Sequence, residues 1–238
     1  MSLRVGIDID GVLADFRTAF HAAATHCLGR EIPAAPDAGD AVLEQKDLKK
    51  VWQYVARTPN WWMGLEAYEP EQIGRLYALA RAAKWEVFFL TNRPASAGDT
   101  VQFQTQWWLE QHGFYLPAVL TVPGSRGEVA NGLRLDLVID DLVVNCVEAV
   151  SASTSKALLM LRAADQPTQE YATDRGIGVV ATFAEALVIV ERLNEVIPTR
   201  RGRLLRLADW FWTTPSGEGL ATNPRVERPI PPFTNPEG

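Results

Sequence analysis

Leu3-Arg4-Val5-Gly6-Ile7-Asp8-Ile9-Asp10-Gly11 opens with a short apolar run and ends in two aspartates and a glycine. A run of this kind reads as a β-strand. Alternation along an extended chain turns Asp8 and Asp10 to the same side, converging above the strand end. Gly11 permits the sharp turn that follows. A second pair, Asp140-Asp141, closes the apolar run Leu135–Ile139 in the same way. In a parallel sheet both strand ends share one edge, so four carboxylates meet there. Like charges at that density need a cation to join them. Oxygen-only ligands suit Mg²⁺, which takes a few carboxylates together with waters and phosphate.

Working outward, Glu86–Leu90 and Lys156–Leu161 read as further buried strands, with Ala118–Val122 and Gly178–Ala181 as weaker candidates. Helical stretches separate them: Pro70–Ala83, Asp99–His112, Arg126–Leu133, Leu142–Ser151 and Phe183–Val196. Asp99 is the expected N-cap of the second and Gly113 its stop. The alternation predicts an α/β fold, a Rossmann-like doubly wound parallel sheet. In such sheets ligands bind at the carboxyl ends of the strands.

One connection is too long. Residues 11 to 85 lie between the first two strands, whereas a crossover needs only about a dozen. Pro70–Ala83 suffices for that crossover, which leaves roughly residues 15–69 as an inserted helical cap. Its helices are expected at Phe16–Leu28 and Leu43–Arg57, around a loop Pro33–Asp40. The core is then 1–14 with 70–198, and 199–238 forms a C-terminal extension. There, Arg200–Trp212 reads as a basic amphipathic helix, and the chain from Thr213 onward as extended or partly disordered.

The formal charge of −6 argues against a nucleic acid polymer as partner. No apolar run reaches the ~18 residues of a membrane helix, and the N-terminus lacks the order of a signal peptide. Cys27 and Cys146 stand apart, which fits a reducing, cytoplasmic compartment. Asp8-x-Asp10-Gly11 is not an EF-hand, because the later ligands are missing, and Gly124–Gly127 is too short for a P-loop. His21 and His26 are five apart and read as packing or surface residues.

Asp8-Ile9-Asp10-Gly11-Val12-Leu13-Ala14-Asp15-Phe16 resembles the first motif of the haloacid-dehalogenase-like (HAD) hydrolases, and more narrowly their 5′(3′)-deoxyribonucleotidase branch. Leu90-Thr91-Asn92-Arg93-Pro94 resembles the second motif and Val138-Ile139-Asp140-Asp141 the fourth. The resemblance implies a Mg²⁺-dependent phosphatase. Asp8 would be the nucleophile and Asp10 the general acid/base. Thr91, with Asn92 beside it, would bind the substrate phosphate. Asp8, the Asp10 carbonyl, Asp140 and Asp141 would hold the metal. Asp10 also argues against a dehalogenase, since that branch lacks the second aspartate. The branch uses cap aromatics to stack on a base, which directs attention to Trp61 and Trp62. Trp52 and the pair Trp107-Trp108 are expected to pack the core.

The third motif of the family usually supplies a lysine, and none occurs between Trp85 and Asp140. Arg126 stands about where that lysine should be and would grip phosphate in its place. Arg93 could steer a phosphate or simply pair with a surface acid. Three readings follow: a phosphatase for a nucleoside monophosphate, a phosphatase for a sugar phosphate or other small metabolite, and a catalytically silent phosphate binder. A homodimer is left open.

Overall fold

The protein is described by a computed structural model over residues 2–32 and 43–194. The expected loop Pro33–Asp40 and the C-terminal extension lie outside the described residues. The described residues belong to one unit, residues 1–201.

Strand β1 (Arg4–Asp8) pairs in parallel with β2 (Glu86–Thr91) on one side and β4 (Leu137–Asp140) on the other. With β3 (Ala118–Thr121), β5 (Lys156–Met160) and β6 (Gly178–Val180), the sheet order is β3-β2-β1-β4-β5-β6, all parallel. The order reverses between β1 and β4, and this is where an open α/β sheet leaves a crevice for a ligand. Ile7 lies beside Ile139 and Asp8 beside Leu90, so the two carboxylate pairs end adjacent strands.

The helices are α1 (Phe16–Leu28), α2 (Gln45–Arg57), α3 (Pro70–Ala83), α4 (Val101–Gln111), α5 (Arg126–Leu133), α6 (Val143–Ala152), α7 (Gln166–Thr173) and α8, described over 183–194. Side-chain alternation divides them between the two faces of the sheet. Val5, Ile7, Leu137, Ile139, Leu158 and Met160 join one apolar cluster with Ile73 and Leu76 of α3, Trp108 and Leu109 of α4, and Leu187 of α8. Their strand neighbours point the other way: Val138 meets Ala130 of α5 and Ala149 of α6, while Ala157 and Leu159 meet Cys146 and Ala172 of α7. Helices on both faces of a parallel sheet make the doubly wound fold expected from the sequence.

The helix ends follow local chemistry. The Asp15 side chain accepts from Thr18 N at the start of α1, and Gly29 stops that helix in the left-handed conformation. Pro70 opens α3. Helix α4 corrects one expectation: its N-cap is Thr100, whose hydroxyl accepts from Phe103 N, and not Asp99. Asp99 instead accepts from the Asn60 side-chain amide and donates its backbone N–H to the Asn60 side-chain oxygen at 2.7 Å. Gly113 is left-handed just past the end of α4, as expected. The apolar run starting at Leu135 pairs only from Leu137 onward and carries Asp140 as its last residue. Trp108 is buried in the core, but Trp107 is 40% exposed, so only half of that pair packs as expected. Among the described residues no helix is long and apolar enough to cross a membrane.

Candidate active site

A cleft of about 720 Å³ opens at the carboxyl ends of the strands, lined by Asp8, Asp10, Gly11, Asn92, Arg93, Arg126 and Asp141 among others. Asp8 is the last residue of β1 and almost fully buried. Gly11 turns the chain at φ 83°, and a Cβ there would lie 2.0 Å from the Asp141 carboxylate. Only glycine lets the two aspartate-bearing loops approach so closely.

Arg126 begins α5, whose N-cap Ser125 accepts from Gly127 N. Glu148 of α6 accepts from both Ser125 Oγ (2.8 Å) and Arg126 N (3.0 Å), fixing this end of the helix. Gly127 permits the approach of the two helices, since a Cβ there would lie 2.4 Å from the Glu148 carbonyl oxygen. So placed, Arg126 donates from Nη2 to Asp8 Oδ1 at 2.6 Å and from Nε to Asp140 Oδ2 at 3.3 Å. Its Nη1 is buried with no hydrogen-bond partner. The Thr91 hydroxyl, one residue beyond the partner of Asp8 in β2, is likewise buried and unpartnered. Such groups are costly unless a ligand satisfies them.

Arg93 is also buried, and its target is Asp10. It donates from Nε to Oδ2 at 2.9 Å and from Nη2 to Oδ1 at 2.8 Å. Nη1 donates to Thr105 Oγ1 at 2.9 Å, and the guanidinium lies 4.9 Å from the centre of the Trp62 ring. Arg93 thus pairs with an acid, but that acid is Asp10 of the cleft and not one of the surface.

The aspartates differ in what they have left to offer. Asp140 is fully buried and accepts from Leu142 N, from the Asn145 side chain at both oxygens, and from Arg126. Asp141 is salt-bridged by no arginine or lysine among the described residues. Burial, followed by Asp140 and Asp10, pushes its carboxyl up to about 7. Burial, and then Asp140, pushes Asp8 well above the usual carboxylate range, against the pull of Arg126. Two arginines facing four aspartates leave a local excess of negative charge, and a cation would relieve it.

Among the described residues no group of three or more His, Cys, Asp or Glu side chains is arranged to hold a metal. The expected site draws on the Asp8 carboxylate, the Asp10 backbone carbonyl and the Asp140-Asp141 pair. Asp10 is paired with Arg93, and Asp140 has its oxygens occupied. Asp8 and Asp141 still face the cleft. Two carboxylates fit Mg²⁺, which commonly binds through one or two of them and fills its remaining positions with water and phosphate oxygens.

The aromatic side of the cleft separates the two expected indoles. Trp62 lines it, but at 1% exposure its ring is held from behind, with Nε1 donating to the Pro94 carbonyl at 3.0 Å. Trp61 does not line the cleft. Its place is taken by Trp52, expected in the core, with Phe16 and Phe20. Phe16 stacks on Trp52 at 5.9 Å between ring centres. A left-handed Asn60 starts the 3₁₀ turn Trp61–Gly64, in which Trp62 is the buried indole. His21 lines the cleft as well, hydrogen-bonded to the Ile32 carbonyl at 2.7 Å, and so does the exposed Arg17. Arg162, absent from the sequence reading, follows β5 and braces the loop after Asp10. It donates to the Gly11 and Val12 carbonyls at 3.1 and 2.6 Å and to Glu69 at 3.1 Å. Nothing in the sequence around residue 162 signals this.

No family model matches the chain, and a search of curated proteins gives no match. Solved structures do match in fold. A HAD-family hydrolase of Deinococcus radiodurans R1, determined with bound phosphate and sodium, superposes with a TM-score of 0.54 at 15% identity, over 80% of this chain and 96% of the other. A phosphonoacetaldehyde hydrolase-like protein of Oleispira antarctica gives 0.52 at 12% identity, over 82% and 93%. A predicted phosphatase of Clostridium acetobutylicum gives 0.52 at 12% identity, over 84% and 99%. The chain therefore has the HAD-like fold, an open six-stranded parallel sheet with flanking helices.

Proposed function

We propose that this protein is a phosphoric monoester hydrolase that works through a phospho-aspartate on Asp8. The observation that carries the reading is the pair of buried, unpartnered polar groups beside Asp8, Arg126 Nη1 and Thr91 Oγ1. Both suit phosphate oxygens, and guanidinium–phosphate bonds are charge-assisted. The arginine thus takes the part of the missing lysine. The likeness to a structure with bound phosphate agrees with this.

An Asp8 oxygen attacks phosphorus as the P–O bond to the leaving group breaks, and Asp10 gives its proton to the departing oxygen. Asp10, now a carboxylate, takes a proton from water as that water attacks phosphorus. The Asp8–P bond then breaks, releasing phosphate and regenerating both aspartates. Asp8, Asp141 and the Asp10 carbonyl would hold Mg²⁺, which would supply positive charge against the phosphoryl oxygens when bound. Asp140 positions Arg126. The substrate is a small phosphorylated metabolite. The wall of Phe16, Phe20 and Trp52 favours a planar leaving group, hence a nucleoside monophosphate as in a 5′-nucleotidase. The helices of residues 15–69 act as a cap over the 1–14 and 70–198 core. A reducing, cytoplasmic setting suits the two free cysteines.

Hydrolysis of an aryl phosphate with and without Mg²⁺, followed by a panel of natural phosphate esters, tests the proposal. Mg²⁺-dependent turnover with nucleoside monophosphates preferred is the expected result. Preference for sugar phosphates would remove the nucleotide assignment. Absence of any turnover would leave a silent phosphate binder, the reading that the missing lysine keeps open.

A further inference from the structure

Arg93 is a buried cation in the cleft that the chemistry above does not use. Its side chain has no exposed surface, while that of Asp10 is 23% exposed, so the pair presents the carboxylate to the cleft and keeps the guanidinium behind it. The fork is fixed on three sides. Nε and Nη2 hold the two oxygens of Asp10, Nη1 is held by Thr105 of α4, and the Trp62 ring lies against the guanidinium. Trp62 is itself tied through Nε1 to the Pro94 carbonyl and through its backbone N–H to Gln104 Oε1 at 3.2 Å. A planar fork on a planar carboxylate sets both the position and the rotation of the acid, which a point charge would not do. Arg126 meets Asp8 through one nitrogen only and keeps Nη1 without a partner. Phosphate contact and acid positioning thus fall to different arginines.

We infer that Arg93 is a positioning residue for Asp10: its fork, anchored by Thr105 and Trp62, aims the carboxyl group at the leaving oxygen and then at the attacking water. This rests on the phospho-aspartate reading and adds to it a residue that acts only through the acid/base. A phosphate dianion approaching Asp8 meets Arg126, while the donors of Arg93 stay with Asp10. In the first step the Asp10 proton passes to the leaving oxygen as its bond to phosphorus breaks. An alkoxide leaving group needs that proton, whereas a dinitrophenolate leaves without it.

The experiment measures Arg93→Met, Arg93→Lys, Asp10→Asn and the double variant Asp10→Asn/Arg93→Met against wild type, on an alkyl phosphate and on dinitrophenyl phosphate, with a rapid-mixing record of phenolate release. Arg93→Met should lower kcat on the alkyl ester by about 10²–10³, within the usual range for general acid–base catalysis, with KM little changed. The initial burst of phenolate should survive, because formation of the phospho-aspartate from that ester does not use the acid. In the Asp10→Asn background, Arg93→Met should add almost nothing, since a residue that acts through another loses its effect when the other is gone. Arg93→Lys should recover only part of the rate. If Arg93→Met unfolds the protein, Thr105→Val, which removes one anchor, should show the same dependence on leaving group at smaller amplitude. Loss of the phenolate burst, a raised KM for both esters, or a full further loss in the Asp10→Asn background would overturn the inference and make Arg93 a phosphate ligand or a packing residue. Wild-type protein that turns over neither ester would overturn the hydrolase reading, and this inference with it.

Discussion

At the end of β2, Arg93 commits its fork to one aspartate and is anchored from behind by Thr105 and Trp62. At the start of α5, Arg126 divides itself between Asp8 and Asp140 and keeps one nitrogen unpartnered. Both arginines are buried, and both serve aspartates at the same sheet edge. The difference lies in what remains after the protein's own bonds are counted. A guanidinium with a buried donor left over is built for a ligand; one whose fork is filled and anchored is built for a side chain. Charge and location alone would not separate them.

Changes at the targets of the two arginines test this contrast most severely. Asp8→Asn should abolish turnover, with a loss on the order of 10⁴–10⁶ in kcat, as for removal of a nucleophile. Circular dichroism should show the fold retained. Activity within tenfold of wild type, in protein free of deamidation, would remove the phospho-aspartate and the meaning of the contrast together.

Arg126→Ala should lower kcat/KM by about 10²–10³, the loss typical of an electrostatic stabiliser. Inorganic phosphate should bind this variant more weakly than wild type, and titration calorimetry would measure it. Arg93→Met should bind phosphate nearly as wild type does. If the two variants lose phosphate affinity equally, the division of labour is wrong. Arg126→Lys should keep part of the activity, because the charge survives without the fork.

Gly127→Ala probes how Arg126 is placed. The added methyl group meets the Glu148 carbonyl and must move α5 away from α6, at a cost of about 1–3 kcal/mol in stability. Denaturant unfolding should show that loss, and phosphate hydrolysis should fall while the Asp10–Arg93 pair is untouched. Full activity in a folded variant would show that Arg126 reaches Asp8 without this close approach.

The smallest effect belongs to the aromatic wall. Trp52→Ala should raise KM for a nucleoside monophosphate by about tenfold or somewhat more, matching the ~1–3 kcal/mol of a base stacked on a ring. Trp61→Ala should leave it unchanged. KM for a small alkyl phosphate should move little in either. A larger change from Trp61 would restore the assignment made from sequence.

Much of this was legible in the chain. The β1 run and its aspartates announce themselves because burial and carboxylates alternate over a few residues, and four of the strands begin at the expected residue. Position 126 could be singled out because a cation was missing from a fixed interval before Asp140. The order of strands was not legible, because lateral pairing is decided by packing between segments far apart in sequence. The partner of Arg93 was hidden for the same reason, since Asp10 lies 83 residues away. Trp52 packs against the core as expected, and its second role as cleft wall was not legible because the ring is only partly buried. Four aspartates at one edge suggested four ligands. Only the bonds from Asn145, Arg126 and Arg93 show which oxygens are already taken.

The brace at Arg162 bears on the order of events during synthesis. Its contacts to Gly11 and Val12 span 151 and 150 residues, and its contact to Glu69 spans 93. Glu69 in turn accepts the backbone N–H groups of Phe183 and Ala184 at the start of α8. Loops of this size close late, because their entropy must be overcome before the contact contributes anything. The turn that carries Asp10 is thus made well before its last hydrogen-bond donor at residue 162, and its supporting glutamate waits for those of residues 183 and 184. A chain released before β5 is complete can hold both first-motif aspartates and still lack the scaffold that sets them, so the site waits for residues far downstream of its own motif.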